Sequence, residues 1–267
     1  MDYQKLIEQL WQQYSREINA AREIHQLFEK EGEKIVNDHV ALRTFDDPRV
    51  NIEVLAEPFK ACGYVEKGAY DFPNKKLYAK HYEHRHDSDA PKIFISQLLT
   101  GYFSNGLQAC VRELIDAIPE KTLQDPQKLI LCGTPWGEIS YQLYEKLLQE
   151  SQYAAWMYAF GYRVNHFTIS VNHLKKYDTV EKVNAFLKKN GYVLNTEAGE
   201  IKGTKKELLE QSSIMAERKK IAFTEGEFEI PSCYYEFALR YKDEKGKLYQ
   251  GFVAASADKI FESTHNK

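Results

Sequence analysis

NDHVALRTF, at residues 37–45, is the stretch that decides the fold of this 267-residue chain. It is short and rich in β-branched and apolar residues, which predicts a strand. Because side chains alternate across a strand, His39, Ala41 and Arg43 share one face of it. The next run, RVNIEVLAEPFKACGY, is typical of a helix that ends at Gly63. Two strand-like runs, KKLYAKHYEH and PKIFISQLL, follow with the turn DSDAP between them, which completes a β-α-β-β type unit.

The same pattern returns in the second half of the chain. VNHFTISV predicts a strand, DTVEKVNAFLKKNGY predicts a helix that ends at Gly191, and ELLEQSSIMAERKKIAF and PSCYYEFALRYKD predict later strands. Gly63 follows His39 by 24 positions and Gly191 follows His166 by 25, and a tyrosine comes after each glycine. This agreement favours a diverged duplication over a chance match.

Helical segments are predicted before and between the two units. Apolar residues recur at three- and four-residue spacings from residue 4 to about 34, which indicates a helix or a helix pair. GLQACVRELIDAI predicts another helix, and a further one is expected to begin with Thr134 as N-cap and Pro135 at the first helical position. The predicted organisation is one compact domain with an N-terminal helical segment (1–36), a first unit (37–100), a connecting helical layer (101–160) and a second unit (161–267).

Composition narrows the class of protein. The chain is 43% hydrophobic and 28% charged, as in an ordinary globular protein. Its 36 basic and 39 acidic side chains nearly cancel and form no long basic run, so we expect no nucleic-acid partner. The first residues do not resemble a secretory signal, and no run approaches the roughly 18 apolar residues of a membrane span, so we expect a cytoplasmic protein without a membrane partner. The four cysteines are widely spaced, which indicates reduced thiols rather than a disulfide framework or a zinc knuckle.

The two histidines of the repeat are candidates for a shared site. If the units pack about an approximate twofold axis, His166 projects into the same space as His39, with Thr168 and Ser170 on its own face of the strand. A histidine on a strand also commonly forms hydrogen bonds within a core, so spacing alone leaves both interpretations open.

A carboxylate in the last predicted strand completes the candidate site. In PSCYYEFALRY, alternation places Tyr234, Glu236, Ala238 and Arg240 on one face. A carboxylate in the middle of a strand needs a partner, because an unpaired buried charge is costly. Two histidines and one carboxylate on one side of a metal form the facial triad of non-haem iron(II) oxygenases. The alternative is that Glu236 pairs with Arg240 or with a lysine.

A second group of histidines lies in HYEHRHD. His84 and His86 of this run would share a strand face at metal-ligand spacing, close to His81. Charged residues surround them, which favours a solvated strand end or hairpin.

Five segments of the chain, in order, resemble the 2-oxoadipate dioxygenase/decarboxylase family. They are NDHVALRTF, VNHFTISVN, LLEQSSIMAE, IPSCYYEFALRY and GFVAASADKIFEST, which together run from residue 37 to 264. The family is similar to a branch of the vicinal oxygen chelate superfamily, which is built from paired βαβββ units around a divalent metal. The resemblance implies an α+β fold with mixed curved sheets and helical additions, and the duplication agrees with it independently.

The resemblance also implies roles for individual residues. It implies that His39, His166 and Glu236 bind Fe(II) and that Arg43 holds a substrate carboxylate. Gln211 in LLEQSS would be a polar group near the metal that orients substrate or oxygen, although a surface-strand position is the alternative.

The C-terminal signature is the least specific part of the resemblance. Its small residues suggest backbone contacts with substrate near Val253 and Ser256, whereas Asp258 and Lys259 fit a structural role equally well.

The implied reaction is the oxidative decarboxylation of a 2-oxo acid by dioxygen. For 2-oxoadipate the products would be 2-hydroxyglutarate and carbon dioxide, in lysine breakdown, with no organic cofactor. One alternative is another metal-dependent enzyme of the superfamily, such as an isomerase or hydrolase that uses zinc, nickel or manganese. The other is a metal-free protein of the same fold that binds a small molecule. The physiological 2-oxo acid and the oligomeric state stay open.

Overall fold

Eight strands form one curled sheet in the computed structural model, which describes residues 2–260 and 263. Two more strands form a separate hairpin. In chain order the strands are β1 (Asn37–Phe45), β2 (Tyr64–Phe72), β3 (Leu77–His84), β4 (Lys92–Leu98), β5 (Val164–Ser170), β6 (Lys202–Thr204), β7 (Leu209–Ser213), β8 (Arg218–Phe223), β9 (Gly226–Pro231) and β10 (Glu236–Arg240).

The strand order of the large sheet is symmetric about its centre. The order is β2-β3-β4-β1-β5-β10-β7-β6, and the central strands β1 and β5 pair antiparallel. The pairing of β1 with β5 is called the seam of the sheet here. On one side of the seam β4 pairs parallel with β1, and on the other side β10 pairs parallel with β5. The β8–β9 hairpin is inserted between the third and fourth strands of the second half. This topology confirms the predicted fold of paired βαβββ units.

Helices surround the sheet and fill the segments between its halves. They are α1 (Tyr3–Glu17), α2 (Asn19–Lys30), α3 (Ile52–Ala61), α4 (Asn105–Asp116), α5 (Glu120–Leu123), α6 (Pro126–Leu129), α7 (Tyr141–Glu150), α8 (Gln152–Phe160), α9 (Val180–Lys189) and α10 (Ala254–Ile260). The N-terminal pair α1 and α2 was expected from its apolar spacing. Within the described residues, no helix is both long enough and apolar enough to cross a membrane. The assignment of the chain to one compact domain stays a prediction.

The prediction of a helix that begins at Thr134 and Pro135 is wrong. Gly133 and Gly137 flank this segment with φ values of 67° and 82°, a left-handed conformation that a right-handed helix cannot include. The chain turns here, and the next helix begins at Tyr141, where the side chain of Ser140 accepts a hydrogen bond from the backbone N–H of Leu143.

Two strand predictions also differ from the structure. The run at residues 207–223 was expected to continue as strand, but it divides into β7, which stays in the large sheet, and β8, which pairs with β9. The edge strand β2 was not recognised, because most of its side chains are exposed or half-buried and it contains Gly68.

The two faces of the central strands have different environments. Trp11 and Tyr14 of α1 pack against Phe167 of β5, with ring centroids 5.1 and 5.2 Å apart, and cover one face with aromatic rings. His166 of the same strand points to the other face, where it lines a cavity together with His39 of β1. The helices therefore provide the apolar backing, and the polar side chains of both central strands are left to face each other across the cavity.

Candidate metal centre

Three predicted residues meet at the centre of the sheet. His39, His166 and Glu236 are fully buried and lie on the neighbouring strands β1, β5 and β10. One nitrogen or oxygen atom from each lies within 4.8 Å of the others. Nε2 of His166 is 3.4 Å from Nε2 of His39 and 3.2 Å from Oε2 of Glu236, and Nε2 of His39 is 3.6 Å from Oε1 of Glu236. Their mutual distances are those of groups able to share one ion.

The residue before each histidine fixes the orientation of its ring. Oδ1 of Asp38 lies 2.8 Å from Nδ1 of His39, and Oδ1 of Asn165 lies 3.0 Å from Nδ1 of His166. An oxygen at this position accepts a hydrogen bond from the Nδ1–H group, so the Nε2 atom of each ring carries a lone pair. The repeat thus reproduces the histidine and also the group that orients it. The sequence signal was available as a polar residue, Asp or Asn, directly before each histidine.

The donor set fits a divalent cation. Two Nε2 lone pairs and a carboxylate converge in a buried space, and Oε2 of Glu236 has no hydrogen-bond partner there. Converging acceptors repel one another unless a positive charge lies between them. Imidazole and carboxylate ligands suit iron, zinc, nickel and manganese. Within the part of the chain that the structure describes, this is the cluster of His, Cys, Asp and Glu side chains that could hold a metal.

Burial sets the protonation of the three groups. It lowers the pKa of His39 despite the opposing effect of Asp38, and it lowers the pKa of His166 well below the ordinary value, with further lowering by His39 and Arg43. Burial also raises the pKa of Glu236 to about 8, against the hydrogen bond from Gln211. Both imidazoles are therefore neutral at neutral pH and ready to bind a metal, whereas the carboxyl group must release a proton to do so.

Gln211 contacts the candidate ligand set directly. It lies on β7, lines the cavity, and donates a hydrogen bond from Nε2 to Oε1 of Glu236 at 2.5 Å. The structure therefore places this predicted polar residue beside the carboxylate and away from the surface.

Arg43 lines the same cavity as the three candidate ligands. Its guanidinium carbon lies 5.0 Å from the ring centroid of Tyr153 and 4.8 Å from that of Trp156, both on α8. Aromatic faces stabilise a cation that burial removes from water. Burial lowers the pKa of Arg43, but a guanidinium group stays charged in proteins. Tyr153 and Trp156 were not predicted to support the site, although their i, i+3 spacing on a helix places them on one side.

The rest of the cavity wall is mostly apolar. Phe94, Phe252, Ala257 and Ile260 contribute side chains to it, beside the polar residues Ser96, Asn165 and Tyr234. Such a wall excludes water and strengthens electrostatic interactions inside the cavity.

Val253 and Ser256, which the family resemblance suggested as substrate contacts, are not part of the lining formed by the described residues. From residue 254 the signature forms the helix α10, and Phe252, Ala257 and Ile260 line the cavity. Ser256 lies instead beside Gly203 of β6. Their contacts with substrate stay a prediction. Residues 261, 262 and 264 of the signature lie outside the described residues.

Symmetry explains why the candidate site has three protein ligands. Ala41, two positions after His39, pairs with Phe94 on β4, and Thr168, two positions after His166, pairs with Glu236 on β10. Phe94 therefore occupies the position in the first half that Glu236 occupies in the second. A phenyl ring cannot bind a metal, so the first half of the sheet supplies no ligand at this position.

The histidines of HYEHRHD do not form a metal cluster. His81 is buried, with Nδ1 2.9 Å from the hydroxyl group of Tyr70 and Nε2 3.0 Å from Glu83. His84 contacts the backbone carbonyl group of Cys62, and His86 is exposed. The positions of His84 and His86 agree with the interpretation of this run as a strand end or hairpin.

The paired βαβββ sheet, with two histidines and a glutamate at its seam, has a fold of the vicinal oxygen chelate type. A glyoxalase-superfamily protein from Ralstonia eutropha JMP134 has the same fold, with a TM-score of 0.77 at 20% identity over 93% of this chain and 85% of that one. The model of the 2-oxoadipate dioxygenase/decarboxylase family matches residues 1–246. The chain belongs to this family, which confirms the resemblance found in its sequence and the prediction of an enzyme.

Individual relatives agree with this assignment over most of their length. The 2-oxoadipate dioxygenase/decarboxylase of Arabidopsis thaliana chloroplasts is 33% identical over 255 residues, which cover 87% of this chain and 69% of the relative. The hydroxyglutarate synthase of Oryza sativa, solved in complex with 2-oxoadipate, has a TM-score of 0.91 at 32% identity and covers 99% of this chain and 92% of its own. A Shewanella frigidimarina NCIMB 400 protein, provisionally named a hydrolase, has a TM-score of 0.89 at 48% identity and covers 95% and 98%.

Proposed function

We propose that this protein is an Fe(II)-dependent dioxygenase that decarboxylates a 2-oxo dicarboxylic acid and converts 2-oxoadipate to 2-hydroxyglutarate and carbon dioxide. The observation that carries the proposal is the convergence of His39, His166 and Glu236 in a cavity that Arg43 also lines. The rice relative was solved with 2-oxoadipate, which supports this class of substrate. A place in lysine breakdown belongs to the same proposal and rests on the family resemblance.

Iron(II) would be held by His39, His166 and Glu236, and it would supply the one-electron chemistry that lets dioxygen react with a 2-oxo acid. Phe94 would supply no ligand to a metal held by these three residues, which would leave coordination positions for the 2-oxo acid and dioxygen. The neutral histidines and the single carboxylate leave the iron site with a net positive charge, which favours an anionic substrate.

Arg43 would bind the second carboxylate of the substrate. Its planar guanidinium group can donate two parallel hydrogen bonds to a carboxylate, and its buried position strengthens them. Tyr153 and Trp156 hold the guanidinium carbon at about equal distances, so the group is already oriented before substrate binds. A substrate without the second carboxylate would not form these two hydrogen bonds.

Gln211 and the apolar wall would prepare the site for one substrate pose. Gln211 holds Oε1 of Glu236 by a hydrogen bond, which limits rotation of the carboxylate. Phe94 and Phe252 keep water from the cavity, which protects the reaction from competing hydrolysis.

The experiment that tests this proposal is oxygen uptake by protein that is loaded with Fe(II) without air. The panel should contain 2-oxoadipate, 2-oxoglutarate and a monocarboxylic 2-oxo acid with the same chain length as 2-oxoadipate. We expect oxygen consumption matched by carbon dioxide release, highest with the dicarboxylic acids. Zinc-loaded protein is the control, because zinc has no redox chemistry. Iron-loaded protein that consumes no oxygen with any 2-oxo acid would instead indicate a hydrolase, an isomerase or a binding protein of this fold.

A further inference from the structure

Arg240 contacts two different parts of the candidate site through different nitrogen atoms. Its Nε and Nη2 atoms donate to the two carboxylate oxygens of Asp38 at 2.6 and 2.8 Å. Asp38 in turn orients the ring of His39. Arg240, Asp38 and His39 are all buried, so this is a fixed chain of contacts from β10 to a predicted metal ligand on β1.

The remaining nitrogen of Arg240 binds the segment that leads to Phe252, a residue of the cavity wall. Nη1 donates to the backbone carbonyl oxygen of Gly251 at 2.7 Å and to that of Tyr249 at 3.3 Å. Residues 249–252, which lie between β10 and α10 and end at the cavity wall with Phe252, are called the strap here. The guanidinium carbon of Arg240 also lies 5.2 Å from the ring centroid of Phe252, the last residue of the strap.

Phe252 connects the strap to the metal site itself. Its ring stands perpendicular to that of His39, with centroids 4.9 Å apart, and packs against Phe94 at 5.0 Å. Its backbone N–H donates to the hydroxyl group of Tyr70 on β2 at 3.1 Å, so a second anchor holds the strap from the opposite side. The strap thus places an aromatic wall of the cavity directly beside a candidate ligand.

We propose that Arg240 is a positioning residue that couples closure of the strap over the cavity to the orientation of His39. The proposal rests on the proposed function in one respect, namely that His39 binds a metal. An arginine suits this role because the three nitrogens of its planar fork are set apart and reach the carboxylate and the carbonyl groups at the same time, whereas a lysine donates all its hydrogen bonds from a single point. Opening of the strap would withdraw acceptors from the guanidinium group and loosen its hold on Asp38.

The test uses Co(II) as the metal probe, without substrate or oxygen. Co(II) affinity is measured by chelator competition, ligand geometry by the visible absorption spectrum of Co(II), and strap closure by hydrogen exchange of the backbone amides in residues 249–252. For Arg240→Met we expect faster exchange in the strap, an altered spectrum and a loss of affinity of about 10- to 100-fold, the usual effect of removing an outer-shell partner. Arg22→Met, on the exposed face of α2, is the control and should change none of these.

Asp38→Asn separates coupling from simple anchoring, because an amide nitrogen cannot accept the hydrogen bond from Nε of Arg240. The variant thus weakens the link from Arg240 to His39 and leaves the bonds from Nη1 to the strap in place. Coupling is reciprocal, so Co(II) should slow strap exchange in the parent protein. We expect this slowing to disappear in Asp38→Asn, while its metal-free strap exchanges as in the parent. If Co(II) slows the strap equally in both proteins, or in neither, the proposal is overturned.

Arg240→Lys provides a second variant if Arg240→Met does not fold. We expect it to restore either the strap exchange rate or the Co(II) spectrum, but not both. Restoration of both would show that a charge at this position is sufficient and would contradict the role of the fork. Because every measurement uses Co(II) alone, a failure here is distinct from a failure of the oxygen-uptake experiment.

Discussion

Gln211 donates a hydrogen bond from its side-chain amide to Oε1 of Glu236 at 2.5 Å, so one oxygen of this carboxylate is engaged by the protein and the other lies 3.2 Å from Nε2 of His166. The first oxygen holds the side chain in place, and the second has no hydrogen-bond partner. This division lets the charge of Glu236 be removed without removing its anchor.

Glu236→Gln should therefore keep the fold and lose metal. The amide oxygen can still accept from Gln211, but a neutral amide is a poorer ligand for a dication than a carboxylate. We expect a loss of Fe(II) or Co(II) affinity of at least about 10- to 100-fold, the range found even for outer-shell partners. Metal content of the purified variant, compared with the exposed-site control Glu229→Gln, measures this. Equal metal content in both variants would contradict Glu236 as a ligand.

Metal affinity should depend on pH through Glu236. Burial raises its pKa to about 8, so the carboxyl group of the metal-free protein is largely protonated at pH 7 and must release about one proton to bind a metal. The pKa values of His39 and His166 are lowered, so these rings add no proton release near neutral pH. Affinity should rise about tenfold per pH unit from pH 6.5 to 8 and then level off. Calorimetry in two buffers of different ionisation enthalpy counts the released protons.

The same pKa shift has the opposite consequence for the stability of the metal-free protein. A carboxyl group whose pKa is raised by folding contributes most at low pH, and its contribution is lost as the pH rises through about 8. Metal-free protein should thus lose stability as the pH rises from about 4.5, the ordinary pKa of a glutamate, to about 8, relative to Glu236→Gln, which has no proton to release at this position. Denaturant titrations of both proteins across this range are the measurement. A parallel pH dependence in the two proteins would show that other groups control it.

Arg43→Lys should weaken binding of dicarboxylic substrates selectively. Lysine keeps the charge but loses the fork that accepts a carboxylate, and truncating one partner of a buried charge pair costs about 2 to 5 kcal/mol. Monocarboxylic 2-oxo acids do not use the fork and should lose far less. The apparent affinity for both classes in oxygen-uptake assays measures the difference, with the exposed Arg49→Lys as control. Equal losses for both classes would show that Arg43 supports the fold or the metal site.

Phe94→Glu should add a fourth protein ligand at the position that symmetry makes equivalent to Glu236. We expect higher metal affinity but little oxygen uptake, because the added carboxylate occupies the side left open for substrate. Without metal, the buried carboxyl group should lower stability by about 1 to 3 kcal/mol. Phe94→Leu serves as the control that removes the ring without adding a ligand. An iron-loaded Phe94→Glu protein with full activity would show that this position does not face the metal.

Local pattern was sufficient to predict the strands that carry the histidines. His39 and His166 lie in segments whose alternation and chain spacing both repeat, and the repeat predicts that they meet across a twofold axis. Glu236 was also predicted on its strand face, because alternation depends on near neighbours alone. The strand order of the sheet then follows from duplication, since both halves place their parallel pair beside the seam.

The contacts that support the site could not be predicted in this way. Arg240 and Asp38 are 202 positions apart, and Arg43 is 110 positions or more from the aromatic rings of α8 that hold it. No periodicity joins residues at such separations, because their proximity depends on how whole elements pack. The wrong prediction of a helix at Thr134 has a local cause. Two glycines with positive φ values flank Thr134 and Pro135, and they prevent the helix that this pair alone would favour.

Because the candidate ligands lie on both sides of the seam between β1 and β5, a bound metal would also affect how the two halves of the sheet hold together. The first half of the sheet contributes His39, whereas the second contributes His166 and Glu236. An ion bound by all three would join the halves as a cross-link, and its binding free energy would add to the free energy that holds them together. Two fragments divided between β4 and β5 would each carry an incomplete ligand set. Their reassembly would then depend on metal concentration, so the same ion would have both a catalytic and a structural role.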